Sequence, residues 1–154
     1  MMHRALYHSP LGVLTLGSNG LALTSLQFAT GESTGSSRVF EPAFRWLDAY
    51  FAGQSPESEL TLAPAGTPFQ LRVWRECCRI PSGRTCSYAE LAQSLGCPGA
   101  ARAVGSALAR NPLLIVIPCH RVIPKSGGIG RYSAGTHLKN SLLQLEKSNL
   151  LKKS

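Results

Sequence analysis

Residues 53–66 constrain this chain more than any other stretch. They open on Gly53, carry Pro56 and Pro64, and close on Gly66. Neither apolar alternation nor helical spacing runs through them, so they read as a linker. The hydrophobic rhythm differs on its two sides. Before it, residues 1–28 read as a β-meander: segments 4–8 and 13–17 flank a Ser9-Pro10-Leu11-Gly12 turn, and Asn19-Gly20 is a hairpin signal ahead of 21–28. A Gly/Ser/Thr-rich loop follows at 29–38, and Phe40, Phe44, Leu47 and Phe51 then recur at helical spacing.

After the linker the pattern is mostly helical. Thr67-Pro68 is a cap followed by proline at the first helical position, and Phe69, Val73, Trp74 and Cys77 continue one face. Ile80-Pro81-Ser82-Gly83 ends that helix. Ser87 caps a short helix at 88–95, Gly96-Cys97-Pro98-Gly99 makes a turn, and 100–110 makes a second helix. Two short helices around a Gly-containing turn outline a helix-turn-helix. Asn111-Pro112 stops the second helix. Residues 113–117 are expected to form a buried strand, 118–135 an irregular Gly-rich loop, and 137–150 a closing helix with Leu138, Leu142, Leu143 and Leu145 as its apolar stripe. The expected fold class is α+β in two domains, 1–66 and 67–154.

Charge changes sign at the same boundary. Residues 1–66 hold three basic side chains against five acidic ones, whereas 67–154 hold thirteen basic against three acidic (Glu76, Glu90 and Glu146). The net +8 of the whole chain therefore resides in the second part, where it favours a polyanion. The longest purely apolar run, residues 113–117, is far shorter than the roughly 20 residues a bilayer requires, and no signal-peptide pattern follows Met1-Met2-His3-Arg4. A cytoplasmic chain with no membrane partner is expected. Five cysteines, with no paired CxxC or HxxxH spacing, point to free thiols and away from structural zinc.

Two segments carry chemistry. The helix at 100–110 consists mainly of small side chains, from which only Arg102 and Arg110 project far. A small face permits close approach to another surface. It lacks the several base-reading side chains of a major-groove helix, so it suits backbone and minor-groove contact of low sequence dependence. The competing reading is a helix packed inside the core with Arg102 on the surface. The second segment is Ile117-Pro118-Cys119-His120-Arg121-Val122. A thiolate is the nucleophilic form of cysteine, and a neighbouring base or cation generates it. On an extended strand Cys119 and His120 point to opposite faces, so their cooperation requires a bend or a bridging water. The competing reading makes Cys119 a small buried hydrophobe.

This second segment resembles the active-site signature of the O6-alkylguanine-DNA alkyltransferases. The likeness spans most of 67–146, through Phe69-Gln70, Val73-Trp74, Ile80-Pro81, Gly83, Thr85, Ser87-Tyr88, Leu91-Ala92, Arg102-Ala103-Val104-Gly105, Asn111-Pro112, Gly130, Tyr132, Gly135, Lys139, Leu142-Leu143 and Glu146. Residues 1–66 match more loosely, chiefly at Ser9-Pro10-Leu11-Gly12 and Leu47-Asp48-Ala49-Tyr50-Phe51. The resemblance implies that Cys119 takes the alkyl group from guanine O6 once and irreversibly. It implies that His120 accepts the thiol proton through a water and that Glu146 orients His120. Tyr88 would donate to the departing guanine and crowd the neighbouring phosphate. Arg102 would fill the stack left by the flipped base, with Ala101 and Ser87 also on the DNA. Val122, Tyr132, Ser133 and Arg131 would form the substrate pocket, with the carbonyls of Cys119 and Val122 accepting from the guanine amino group. Asn111 would tie the helix-turn-helix to the active-site strand. The implied partner is double-stranded DNA carrying O6-alkylguanine, gripped in its minor groove by a monomer. No metal or other cofactor is implied.

Ser82, Arg131, Ala134, Thr136 and the Cys77-Cys78 pair depart from the family pattern, and Arg131 adds positive charge at the pocket rim. Three other readings compete. One is an alkylated-DNA-binding relative that transfers nothing, in which the acceptor cysteine would be replaced. Another is a helix-turn-helix regulator with a sensing thiol, which would need a base-reading helix. A cysteine hydrolase would need an oxyanion site.

Overall fold

Three antiparallel strands, β1 (His3–Ser9), β2 (Gly12–Ser18) and β3 (Leu23–Phe28), form a sheet in the order β1-β2-β3. The computed structural model describes residues 2–56 and 59–152. The Asn19 side chain accepts from the amides of Leu21 and Ala22, which turns the chain between β2 and β3. Pairing Leu16 with Leu26 and Leu14 with Phe28 sets the register. Alternation turns Leu14 and Leu16 inward, and a register shift between Gly17 and Ser18, where the pairing skips Thr24, lets Leu23 as well as Leu26 be buried; all four are fully covered. Helix α1 (Phe40–Phe51) covers the span its periodicity indicates and buries Phe40, Ala43, Leu47 and Tyr50. Tyr7 stacks on Phe44 and Phe51 and donates to Asp48 at 2.6 Å. Part of the linker is not loose: Leu23 donates to Thr61 O and Ala63 to Leu23 O, so Leu62 bridges β3 in parallel. Glu57 and Ser58 of the linker lie outside the described residues.

The chain divides into two units, Met1–Ala65 and Gly66–Ser154. The second opens with α2 (Pro68–Cys77), whose Thr67 cap and Gln70 exchange hydrogen bonds in a full capping box. A two-residue strand β4 (Cys86–Ser87) leads into α3 (Tyr88–Ser94), closed by a second capping box between Ser87 and Glu90. Helix α4 (Ala101–Ala109) follows the Gly96–Gly99 turn, so α3 and α4 form the helix-turn-helix. Two bonds lock it to α2: Trp74 Nε1 donates to Ala107 O at 2.8 Å, and Arg72 Nη2 to Leu95 O at 2.9 Å. A single 3₁₀ turn at Cys119–Arg121 precedes β5 (Val122–Ile123), which pairs in parallel with β4. The chain closes with α5 (Thr136–Lys152).

Two expectations need correction. Leu113, Leu114, Ile115 and Ile117 are buried as their composition demands, but residues 113–117 form no strand. Ile117 N reaches back to Leu113 O and Val116 N to Leu114 O, and Ile115 adopts φ 71°. Asn111 stabilises this coil by accepting from Leu113 N and donating to Ile117 O. A local side-chain bond here outcompetes a sheet ladder. The second correction concerns α5. Its fully covered side chains are Lys139, Leu142 and Glu146, while Leu138, Leu143 and Leu145 are only half-buried. Charged groups take the inward face because buried partners await them.

Candidate active site

Residues 117–121 bring the reactive groups together. In a 3₁₀ turn successive side chains diverge by about 120° rather than opposing each other. Cys119 and His120 therefore both stay inside, 6% and 0% exposed. The turn supplies the bend that an extended strand would lack. No direct hydrogen bond joins them. Cys119 Sγ accepts from Asn111 Nδ2 at 3.1 Å, and His120 Nε2 lies 2.6 Å from Glu146 Oε2. Glu146 is also gripped by Arg121, Nε to Oε1 at 2.8 Å and Nη2 to Oε2 at 3.0 Å. Arg121 Nη1 continues to Ile80 O at 2.7 Å.

Protonation follows from these contacts. Burial alone would raise the Glu146 carboxyl, but hydrogen bonds from His120 and Arg121 outweigh it and hold it at about 2. Glu146 is thus a buried anion. Burial pushes His120 down, against the pull of Glu146, so the imidazole is neutral. Its Nε2–H then donates to Glu146, which leaves the lone pair on Nδ1. That atom is buried and, among the described residues, meets no donor or acceptor. It is a base with its other nitrogen already anchored. Burial pushes the Cys119 thiol up to about 11, opposed by the Asn111 bond and by the charge of Lys139. The resting group is therefore the thiol.

Cys119 lies in a cleft of about 900 Å³ between α4 and the loop after β5. Ala101, Arg102, Gly105, Ser106, Leu108 and Ala109 of α4 form one wall. Pro124, Gly130, Arg131, Tyr132 and Ser133 form the other, and Tyr88 lies between them. Helix α4 thus does two jobs: Val104, Ala107 and Leu108 face the core, while Arg102 is exposed at the cleft. Tyr88 is half-buried rather than a core tyrosine. Val122 does not line the cleft. It is fully buried, and its carbonyl accepts from Lys139 Nζ at 2.7 Å. Ser87 serves as the α3 cap, and its side chain is engaged by Glu90 N. Of the residues that depart from the family pattern, Ser82, Ala134 and Thr136 do not line the cleft, whereas Arg131 does. Cys77 is fully buried and Cys78 exposed.

The comparisons match this two-part construction. The family described as 6-O-methylguanine DNA methyltransferase, DNA binding domain, matches residues 68–148, and its ribonuclease-like domain matches residues 2–64. The chain belongs to the 6-O-methylguanine DNA methyltransferase family. The methylated-DNA–protein-cysteine methyltransferase of Mycobacterium leprae is 45% identical, over 98% of this chain and 96% of that protein. The Methanosarcina barkeri protein of the same name is 42% identical over 97% and 99%. The crystal structure of Mycobacterium tuberculosis O6-methylguanine methyltransferase is 43% identical, covers all of both chains and superposes with a TM-score of 0.87. Another from that organism, OGT in complex with DNA, is 45% identical with a TM-score of 0.86, over 94% of this chain and 92% of that one.

Within this methyltransferase, sequence reasoning left two residues without a role. Arg121 appeared only as part of a motif, yet it neutralises Glu146. Lys139 is fully buried on α5, with Nζ donating to Val122 O and, at 3.1 Å, to Arg131 O. Burial lowers its ammonium to about 8, and proximity to Cys119 opposes the shift. Its signal in the sequence was a lysine among leucines on a helix that must close a core. Among the described residues no helix is long and apolar enough to cross a membrane.

Proposed function

We propose that this chain repairs alkylated DNA directly, moving the alkyl group from guanine O6 to Cys119 in one irreversible step. The observation that carries this reading is the Cys119 thiol, open to a cleft and backed by the neutral, Glu146-anchored His120. His120 Nδ1 takes the thiol proton, through a water in the reactive complex. The S–C bond then forms as the C–O6 bond breaks, and the electron pair stays on the purine, which gains a proton. The Tyr88 hydroxyl donates to the departing guanine. Glu146, held by Arg121, stabilises the imidazolium. Asn111 and the Lys139 ammonium stabilise the thiolate. Displacement at a saturated carbon balances without a metal or redox cofactor.

The alkyl carbon inside a duplex is out of reach of a buried thiol, so the nucleotide must flip, at a cost of a few kcal/mol. Arg102, exposed on the small-residue wall of α4, takes its place in the stack. Ala101 at the uncapped start of α4 lets phosphates approach its amides. The thirteen basic residues of the second unit supply the sequence-independent grip on the minor-groove side. The chain acts as a monomer in the cytoplasm, on nucleoid DNA. The retained cysteine and the scarcity of base-reading side chains on α4 disfavour a non-transferring relative and a sensing regulator.

Intact-mass measurement tests this. Incubation with an oligonucleotide containing O6-methylguanine adds one methyl group, at Cys119, with no second turnover. Cys119→Ser adds none while retaining lesion binding. An unchanged mass for the native chain despite tight binding would overturn transfer.

A further inference from the structure

We propose that Arg131 makes this cleft favour O6 substituents that end in a carboxylate over neutral substituents of equal size. This rests on the alkyl-transfer reading and concerns which alkyl groups that reaction takes. Two cleft residues carry guanidinium groups, Arg102 and Arg131, and no lining residue is acidic. Arg102 belongs to the α4 wall that faces DNA. Arg131 belongs to the opposite wall, adjacent to Tyr132 and Ser133.

The root of Arg131 is fixed. Its carbonyl accepts from the buried Lys139 ammonium at 3.1 Å. Gly130 before it has φ 79°, and a β-carbon there would lie 2.8 Å from Pro124. Only glycine allows that close approach, so the loop is pinned on both sides of the rim. The guanidinium itself stays exposed, and its charge bears on the Tyr88 phenol at the same cleft.

The chemistry gives this charge a purpose. A thiolate approaching a carbon that bears a carboxylate meets like charge, which a neutral methyl or amide does not present. A cation on the rim of the cleft offsets the repulsion. The step is otherwise unchanged: the S–C bond forms, the C–O6 bond breaks with its electron pair left on the purine, and the thiol proton passes to His120. The carboxylate is a spectator and remains on sulfur as S-carboxymethylcysteine.

The test compares O6-carboxymethylguanosine with its neutral isostere, O6-carbamoylmethylguanosine, as free nucleosides, so that no phosphate is present. Cys119 modification is followed by intact mass. Arg131→Gln lowers the carboxylate-to-amide rate ratio about fivefold, the size expected of a partly exposed charge pair. Arg131→Lys keeps part of the preference, and added salt moves the native ratio toward that of Arg131→Gln. An equal ratio in native and Arg131→Gln protein overturns the proposal. So does a loss in Arg131→Gln confined to duplex substrates, which would make Arg131 a phosphate contact. In both cases the amide substrate still modifies Cys119 and alkyl transfer stands. Failure of both nucleosides and of O6-methylguanine in DNA would instead sink alkyl transfer itself.

Discussion

The Met1–Ala65 unit and the Gly66–Ser154 unit bury different things. Among the described residues, the first buries leucines and aromatic rings, with Ser18 its one fully covered polar residue. The second buries Ser87, Asn111, His120, Arg121, Lys139 and Glu146 beside its apolar core. Apolar burial is non-directional and tolerant. Buried charge is costly unless every partner is in place. The first unit is therefore organised for stability, and the second spends stability to hold a base and an anion beside a thiol.

Glu146→Gln has the largest expected effect on this contrast. It strands the Arg121 guanidinium in the core, at a cost of about 3–5 kcal/mol, and removes the anchor of His120. Denaturant midpoints and the rate of Cys119 methylation check both. The same residue sets an acid limb. Its folded carboxyl titrates at about 2 against 4.5 for the free group, so its stabilisation is complete above 4.5 and is lost as pH falls toward 2. Glu146→Gln flattens that limb in a series of urea midpoints against pH. An unaltered limb would show that Glu146 is not the buried anion described.

Leu16→Ala tests the other side of the comparison. Leu16 is fully buried in the sheet, and truncation costs about 2–5 kcal/mol of stability. Below its melting temperature the variant retains methyl transfer per folded molecule. A large loss of rate in folded protein would show that the first unit serves the chemistry as well.

Arg102→Ala sharpens the division within the second unit. Repair of duplex DNA falls about tenfold or more, the scale of a lost contribution to base flipping, while reaction with a free O6-alkylguanine base changes far less. Equal losses on both substrates would remove Arg102 from the stack. The smallest effect is expected of Thr67→Ala, which opens the α2 capping box. It costs about 1 kcal/mol, visible in thermal unfolding and absent from the transfer rate.

Much of the fold was legible in local chemistry. The span of α1 followed from Phe40, Phe44, Leu47 and Phe51, and the caps Thr67 and Ser87 marked two helix starts, because these signals act within one or two turns. The apolar run at 113–117 was legible as buried but not as a coil. Its shape depends on Asn111, which binds the main chain at both ends of the run. Of the α5 leucines only Leu142 proved fully covered, since helical periodicity cannot register that Lys139 and Glu146 have partners awaiting them inside.

By itself, the sequence determined the two-part division, the sign of charge on each part and the thiol–imidazole pair. Each of these is a property of composition or of neighbours along the chain. Tertiary structure alone decided that Glu146 is an anion, that His120 offers Nδ1 rather than Nε2, and that Lys139 is buried against the Val122 carbonyl. Those outcomes depend on groups 17 to 26 positions apart meeting within 2.6–3.0 Å in a water-poor interior. There, burial and partner together set which form of each group exists.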